Sequence, residues 1–256
     1  MSIDYSIEGA IAEIVINRPE QSNALDDEHF RALNECLERA TRDAPRALLL
    51  RSEGRVFCAG RDISEIDPFG EDPADTLRRT FNALVMKVDA LPMPSVAAVQ
   101  GACVGAGTGI ALACDLVVAA DDATFTSPFG RLGSVPDSGF HYFMTTRLGA
   151  AVAKDVVLTG RKLSGAEAAR LGLVARSVPS ETLLTESRDI AASIASGPTL
   201  AFALACDLID RTASGASLPT VLAAEAIAQA RAFETQDLRE GVTAFAERRN
   251  PSFTGS

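Results

Sequence analysis

A chain of 256 residues with 47% hydrophobic and 5% aromatic residues can bury a sizeable core, as one domain with an appendage or as two small domains. Its formal net charge of −10, with a pI near 4.8, excludes nucleic acids and anionic membrane surfaces as expected partners, because both require a cationic protein face. Five cysteines without a CxxC pair indicate neither a disulfide framework nor a zinc site, and with no signal peptide apparent they predict a reduced, cytoplasmic protein.

The first third of the chain alternates predicted strands and helices. Strands are predicted over 11–17 and 47–50, and the apolar residues of 26–41 recur at helical spacing between them. This order favours a layered α/β architecture. A loop predicted over 65–75 has a length that is common near functional sites, and a helix predicted over 77–91 follows it.

The centre of the chain is an uncharged segment, residues 90–114. Its prolines and glycines argue against a continuous lipid-facing helix. A strand predicted over 95–100 stops at Gly101, and the chain restarts as a helix of small residues through 105–109. Backbone N–H groups at such a helix start can hold an oxyanion, whereas close helix packing is the alternative reason for the glycines. The glycine string lacks the pattern of a P-loop or of a dinucleotide fold.

A single carboxylate, Asp137, lies between Pro136 and Gly139 at the predicted start of another helix. We predict that the small-residue stretch polarises a carbonyl group and that Asp137 moves a proton beside it. The alternative is that Asp137 only caps the helix, as aspartates often do.

The second half of the chain begins with short strands and ends in helices. Strands are predicted over 116–120, 123–126 and 173–175, and Ser164 with Glu167 fits the capping box of a short helix. Strands first and helices last predict an α/β core followed by a helical C-terminal part. The predicted C-terminal helices cover residues 181–196, 199–212, 218–233 and 237–248.

Taken in order, the turns of this chain resemble the crotonase (enoyl-CoA hydratase/isomerase) superfamily over almost its whole length. Each matching segment is weak alone, but their order and spacing are highly specific. The C-terminal run 250–255, with 104–107 and 135–139, is most similar to the phenylacetate-pathway branch, whose members isomerise ring-epoxidised phenylacetyl-CoA and shift double bonds in enoyl-CoA esters. The other matching segments are 17–19, 23–25, 57–63, 101–115, 132–137, 158–160, 166–174 and 239–245.

The resemblance implies a crotonase-like ββα spiral core over residues 1–198, which binds acyl-CoA, and a C-terminal helical trimerisation region over 199–256. It also implies a homotrimer or a dimer of trimers. The implied substrate is an acyl-CoA, with coenzyme A as part of the substrate and neither a metal nor a redox cofactor.

The resemblance further implies an oxyanion hole formed by the backbone N–H groups of Arg61 and Ala106, which would hold the thioester carbonyl. Fixed donors that draw charge onto this oxygen make the neighbouring C–H acidic. The C-terminal helix would reach the site of a neighbouring subunit, and Arg18 and Arg249 are further cations that could meet CoA. The implied substrate and CoA contacts are Ala24, Leu25, Ala59, Gly60, Asp62, Ile63, Gly105, Phe129, Phe245 and Arg248.

The chain departs from the hydratases of the family at two positions. Hydratases use two glutamates, one to activate water and one to deliver a proton, whereas this chain has Gly109 and Phe129 there. Asp137 occupies the position of the catalytic aspartate of the isomerase branch, and one carboxylate suffices for a 1,3-proton shift. Desolvation near Phe129 and Phe140 is expected to raise the pKa of Asp137. We therefore predict an isomerase rather than an efficient hydratase.

Three alternatives stay open: weak hydratase activity, an aryl-CoA dehalogenase with Asp137 as nucleophile, and an acyl-CoA-binding member without catalysis. Residues 140–143 also depart from the family pattern. If the chain is helical from Gly139, His141 lies one turn from Asp137 and could donate a hydrogen bond to it. The acyl group and the pathway, fatty acid or phenylacetate, are not determined by the sequence.

Overall fold

The computed structural model describes residues 2–65, 70 and 72–256. In this part of the chain there are nine strands and eleven α-helices, which form one main sheet, one small sheet and the helices around them. The strands are β1 (Ile3–Glu8), β2 (Ile11–Ile16), β3 (Ala47–Ser52), β4 (Ser95–Val99), β5 (Ala102–Val104), β6 (Leu116–Ala120), β7 (Thr124–Thr126), β8 (Leu163–Ser164) and β9 (Arg176–Val178). The helices are α1 (Asp27–Asp43), α2 (Pro73–Arg79), α3 (Phe81–Asp89), α4 (Ala106–Leu112), α5 (Phe129–Leu132), α6 (Phe140–Thr159), α7 (Gly165–Leu171), α8 (Leu183–Ala195), α9 (Thr199–Ala213), α10 (Leu218–Phe233) and α11 (Gln236–Glu247).

The main sheet has six strands in the order β1-β2-β3-β4-β6-β9. Only β1 and β2 pair antiparallel, and the other pairs are parallel. All five residues of β4 are buried, as expected for a central parallel strand covered on both faces. Helix α8 packs on β3 and β4, and α1 packs on β1 and α3. The core therefore lies between the sheet and these helices.

The small sheet, in the order β5-β7-β8, places the candidate site at its edge. Val104 pairs with Thr126, so the residues after β5 and after β7 leave the sheet side by side. An isolated parallel bridge joins Cys58 to Cys103, and another joins Leu25 to Arg61. Three chain segments distant in sequence thus meet beside the start of α4.

Two predicted elements differ from the structure. The helix predicted over 77–91 is two helices, because Thr80 (φ −111°, ψ −82°) breaks the helical path between α2 and α3. The strand predicted over 173–175 is wrong: the last strand is β9, and Leu173 instead donates its N–H to the carbonyl of Ala168 at 2.8 Å as α7 ends.

The bounds of the other predicted strands and helices lie close to the observed bounds. The structure also contains an additional strand near the N-terminus. Strand β1 was not predicted from the sequence. The predicted loop over 65–75 lies partly outside the described residues, and α2 already begins at Pro73, with the Asp72 side chain capping it. Ser164 accepts from the N–H of Glu167, so the cap predicted for α7 is present.

The C-terminal helices form a separate layer after a sharp bend. Between α8 and α9 the chain turns by 109°. Helix α9 then packs on α10, and α10 on α11. Across residues 2–65, 70 and 72–256, no single helix has the length and apolarity needed to cross a membrane, and only the bent pair of α8 and α9 meets those two criteria together. The domain boundary at residue 198 remains a prediction.

Candidate active site

The turn after Gly60 lies directly against the start of α4. The Cys58 N–H donates to the Ala102 carbonyl at 3.2 Å, and the Val104 N–H donates back to the Cys58 carbonyl at 3.0 Å. Gly60 has a φ of +89°, and a Cβ atom there would lie 2.9 Å from the Val104 carbonyl oxygen and 3.5 Å from the Ala106 nitrogen. Only glycine fits this approach without strain. The structure thus brings the backbone of residues 60–61 next to Ala106.

Residues 23–25 hold the other side of the same turn. The Leu25 N–H donates to the Gly60 carbonyl at 2.8 Å, and the Asp62 N–H donates to the Leu25 carbonyl at 2.9 Å. The fully buried Asn23 donates to the carbonyls of Glu53 and Val56 at 2.8 and 2.6 Å. Because these contacts flank Arg61 on both sides, its backbone is held in place before any ligand binds.

Ala106 is the first residue of α4, where backbone N–H groups have no intrahelical acceptor. Its N–H donates to no acceptor in the described part of the chain. The preceding Gly105 has a φ of +55°, and the Thr108 hydroxyl donates to the Cys103 carbonyl at 2.9 Å, which anchors the turn to β5. The Ala106 N–H is therefore a fixed donor available to a ligand oxygen.

Phe129 packs over the same turn. A Cβ atom at Gly105 would lie 3.5 Å from the Phe129 ring. The ring belongs to α5, which follows β7 at the edge of the small sheet. An apolar ring thus lies at the position where the family resemblance implies a glutamate in the hydratases.

Asp137 lies in a turn whose next two residues, Ser138 and Gly139, have φ values of +52° and +77°. The Ser138 hydroxyl donates to the Asp137 carboxylate at 2.9 Å. Burial raises the pKa of Asp137, while the Ser138 hydroxyl and the positive charge of Arg61 act in the opposite direction. The direction of this pKa shift is the one expected from the sequence.

Asp137 does not cap the following helix, so that alternative is wrong. Helix α6 begins at Phe140, its N-cap residue is Gly139, and no side chain caps it. Asp137 precedes the helix and is linked to it through its carbonyl oxygen, which accepts from the Phe140 N–H at 2.9 Å. The carboxylate is therefore left for another role.

The Asp137 turn packs against α4 at Gly109. A Cβ atom at Gly109 would lie 1.9 Å from the Ser138 carbonyl oxygen and 2.9 Å from the Ser138 Cβ. No side chain fits at this position without moving the turn. The backbone of Ser138 thus fills the space in which a glutamate at position 109 would begin.

His141 does not partner Asp137 as the helical register predicted, because the chain is not helical until Phe140. His141 is exposed, and among residues 2–65, 70 and 72–256 it shows no hydrogen bond to Asp137. Its charge acts on Asp137 only through space. Phe140 and Phe143 are buried core residues, whereas His141 and Tyr142 are exposed.

The residues predicted to bind CoA near the turn do lie together. Ala59 donates its N–H to Ser22 at 3.1 Å, and Asp62 forms an ion pair with Arg18 at 3.2 Å. Arg18 also approaches Asp26 at 3.6 Å and donates to the Ala24 carbonyl at 2.8 Å. The Arg18 guanidinium therefore already has partners within this part of the chain. Ile63 is exposed at its edge.

Phe245 and Arg248 do not join this cluster within one chain. Both belong to the end of α11, which packs on α10. Phe245 is 87% exposed, and Arg248 ends the helix in a left-handed conformation. Arg249 pairs with Glu240 and Glu247. Their roles at a site remain predictions.

A cavity of about 1020 Å³ lies elsewhere, between α9 and the C-terminal end of α4, and its lining includes none of Arg61, Ala106 and Asp137.

The structural roles of Asn23 and Ser138 at the site were not predicted from the sequence. Both residues belong to segments that resemble the family, Asn23 to 23–25 and Ser138 to 135–139, but the resemblance does not indicate what their side chains contact.

Comparisons with known proteins show which sequences this chain is similar to. A family model described as enoyl-CoA hydratase/isomerase matches residues 6–256. A Rhodobacter capsulatus protein named "Probable enoyl-CoA hydratase" is 38% identical over 254 residues, covering 99% of this chain and 98% of that one. The 1,2-epoxyphenylacetyl-CoA isomerase of Escherichia coli is 37% identical over 254 residues, covering 97% of each.

Solved structures give the same fold. The crystal structure of an enoyl-CoA hydratase from Bacillus anthracis has a TM-score of 0.90 at 30% identity and covers 100% of each chain. The predicted fold class, an α/β crotonase-like core followed by a helical C-terminal region, is confirmed.

Proposed function

The chain belongs to the enoyl-CoA hydratase/isomerase family, and from this premise we propose that it shifts the double bond of an enoyl-CoA ester, with Asp137 as the proton-transferring carboxylate. The family membership makes it an acyl-CoA enzyme. The isomerase reaction is the proposal.

The observation that carries the proposal is the contact between Gly109 and Ser138. Hydration of a C=C bond needs one group that activates water and another that delivers a proton. Position 109 has no room for a side chain, because its Cβ would lie 1.9 Å from the Ser138 carbonyl oxygen, and position 129 carries a phenyl ring. Backbone and an apolar ring therefore take the places of the two hydratase carboxylates. The proposed proton transfer then depends on Asp137.

One carboxylate is enough for the proposed reaction. The thioester carbonyl accepts hydrogen bonds from the backbone N–H groups of Arg61 and Ala106, and these stabilise the dienolate that forms when Asp137 removes the proton at C2 of a 3-enoyl ester. Asp137 then delivers the proton to C4, and the double bond comes to lie between C2 and C3. Burial supports this role, because a raised pKa makes the carboxylate a stronger base.

The reaction moves a proton without net oxidation or reduction, so it requires no redox cofactor, and the fixed N–H donors take the charge-stabilising part that a metal has in other enzymes. Coenzyme A enters as part of the substrate. We place the reaction in the cytoplasm, where the five unpaired cysteines would stay reduced.

We further propose a homotrimer or a dimer of trimers assembled through the C-terminal helices. Large apolar side chains on these helices are exposed in the single chain, which favours burial against another copy. In such an assembly Phe245 and Arg248 would reach the site of a neighbouring subunit, and light scattering at two concentrations would measure the assembly. The exposed side chains are Ile209, Leu218, Leu222, Ile227, Phe233, Val242 and Phe245.

The substrate can be aliphatic or aromatic. The Escherichia coli relative is named for a phenylacetyl-CoA epoxide, which supports a ring substrate. Phe140 and Phe143 do not argue against one, because both are buried in the core. A substrate panel should therefore include 3-enoyl esters of several lengths and the ring epoxide.

Comparison of the wild type with Asp137→Asn tests the proposal. We expect double-bond migration by the wild type, at least about 10²-fold slower migration by the variant, and CoA-ester binding by both. Migration that survives in Asp137→Asn would overturn the assignment of Asp137. Binding without turnover of any panel member would favour the non-catalytic alternative, and halide release from a halogenated aryl-CoA would favour the dehalogenase.

A further inference from the structure

Ser138 contacts the Asp137 carboxylate directly. Its hydroxyl donates to Oδ1 of Asp137 at 2.9 Å. Ser138 is 1% exposed, so water has little access to this hydroxyl. Among residues 2–65, 70 and 72–256, no other side chain donates a hydrogen bond to the carboxylate. The contact therefore engages Oδ1, whereas Oδ2 has no side-chain donor in this part of the chain.

The backbone of Ser138 is held in a conformation that serine rarely adopts. Its φ is +52°, in the left-handed region. Such a conformation persists where the surrounding structure fixes it. On one side, the Asp137 carbonyl accepts from the Phe140 N–H at 2.9 Å, which ties the turn to α6. On the other, the Ser138 carbonyl oxygen and Cβ fill the space beside Gly109 of α4. The Ser138 side chain therefore extends from a backbone that is fixed on two sides.

Helix α4 also carries one of the proposed oxyanion donors. Ala106, whose N–H is that donor, is the first residue of α4, and Gly109 follows three positions later. Residues three apart on a helix are neighbours on one face, about 5–6 Å apart. The turn that carries Asp137 thus packs on α4 one helical turn from Ala106. Ser138 therefore links the proposed base to the helix that carries the donor.

The proposed reaction requires a carboxylate with a fixed orientation. As the C2–H bond breaks, an O–H bond forms on Asp137 and the electron pair passes into the dienolate; the O–H bond then breaks as the C4–H bond forms. One group must therefore meet two carbon atoms of the same bound substrate, and a small misplacement is costly in such a reaction. A serine hydroxyl can donate to the ionised carboxylate and to the carbonyl oxygen of the protonated acid alike. Its hydrogen bond to Oδ1 can thus last through both proton transfers.

We propose that Ser138 is a positioning residue for this proton transfer: its hydroxyl holds Oδ1 of Asp137 and its backbone seats the carboxylate against α4, so that Oδ2 takes the proton from C2 and returns it at C4. This inference rests on the proposed isomerase function. The resemblance to the family implies no role for the Ser138 side chain.

Steady-state kinetics of Ser138→Gly and Ser138→Ala with a 3-enoyl-CoA test the proposal. Both variants remove the hydroxyl and keep the backbone, but glycine adopts a positive φ readily whereas alanine does not. We expect kcat to fall by about 10-fold to 10²-fold in both variants, the effect of a lost hydrogen bond to a charged group, with KM unchanged.

A purely structural role gives a different pattern. The loss of kcat would then follow the loss of stability in urea denaturation, differ between the two variants and be accompanied by a change in KM, and this outcome would overturn the inference. Ala44→Gly is the control for added backbone freedom, because Ala44 is exposed and follows α1 with a φ of +47°. Its kcat should equal that of the wild type.

A double variant separates positioning from an independent role. Effects of residues that act through one another are not additive. Because Asp137→Asn leaves no carboxylate to position, adding Ser138→Gly to it should leave the residual rate of migration unchanged. A further loss as large as that of Ser138→Gly alone would overturn the inference.

Failure of this inference differs from failure of the proposed function. Full kcat in both Ser138 variants, together with loss of migration in Asp137→Asn, would overturn the role of Ser138 and leave the isomerase proposal intact. Migration that persists in Asp137→Asn would instead overturn the isomerase proposal itself.

Discussion

A Cβ atom at Gly60 would lie 3.5 Å from the backbone nitrogen of Ala106, so the two turns that carry the proposed oxyanion donors touch through a position that only glycine occupies without strain. The φ of +89° at Gly60 and the Val104 carbonyl, 2.9 Å from the same Cβ position, both oppose a side chain there. The geometry of the donor pair therefore depends on this residue.

Gly60→Ala should push the two turns apart. We expect a loss of kcat/KM of about 10²–10³-fold, the usual cost of one lost oxyanion donor, with a smaller effect on folding. Gly215→Ala is a matched control, because Gly215 has a φ of +90° and no atom within 4 Å of its Cβ position. Equal activity losses in the two variants would indicate backbone strain alone.

Gly109→Ala should destabilise the protein, although alanine normally favours a helix over glycine. The new methyl group would collide with the Ser138 carbonyl, and overpacking of this kind costs about 1–3 kcal/mol. Urea denaturation measures the change. Gly130→Ala on α5, where the nearest atom lies 3.8 Å from the Cβ position, should be neutral or slightly stabilising. If Gly109→Ala were as stable as Gly130→Ala, the steric argument against a glutamate at 109 would fail.

Asp137→Asn should raise thermal stability at neutral pH. Because burial raises the pKa of Asp137 in the folded chain, its ionisation opposes folding, and stability is lost as pH rises through that pKa. The asparagine variant avoids this loss, so its Tm at pH 7 should exceed that of the wild type. The difference should vanish below the ordinary aspartate range of about pH 4.

Differential scanning calorimetry at pH 7 and at low pH measures this difference. Asp189→Asn, on an exposed position of α8, is the control and should leave Tm unchanged. If Asp137→Asn were less stable than the wild type at pH 7, the ionised Asp137 carboxylate would stabilise the fold, which contradicts this prediction.

Asn23→Ala should loosen the turn that holds Arg61. Its fully buried side chain donates to two carbonyls and accepts from the Arg18 N–H at 2.8 Å. Each buried group left without a partner costs about 1–3 kcal/mol, so we expect a loss of at least about 2 kcal/mol. Urea unfolding measures it, and a loss below about 0.5 kcal/mol would contradict the role of Asn23.

Elements with strong periodicity could be predicted from the sequence. The strand over 116–120 and the helix over 218–233 match their predicted limits residue for residue. The break at Thr80 could not be predicted, because the apolar period continues through it and the Thr80 side chain bonds its own helix at the Thr76 carbonyl, 2.6 Å away. The last strand was predicted over 173–175 because Leu173 and Val174 are apolar. Both are indeed buried, but they precede β9 and belong to no strand.

The candidate site was predicted in its parts but not in its contacts. Glycines at 60, 105 and 109 suggested close approach, yet which backbone each one meets depends on segments tens of residues apart. The same holds for the predicted pairing of His141 with Asp137, which assumed a helix from Gly139, whereas α6 begins at Phe140 and the two residues before it have positive φ. Local spacing carries no information on such non-local packing.

The central claim is that one carboxylate moves a proton and no group activates water. The most direct test incubates a 3-enoyl-CoA and a 2-enoyl-CoA with the wild-type enzyme in ¹⁸O-labelled water and measures product masses. We predict interconversion of the two esters without a change in mass from oxygen uptake. A 3-hydroxyacyl-CoA carrying ¹⁸O, formed as fast as the double bond migrates, would contradict the account.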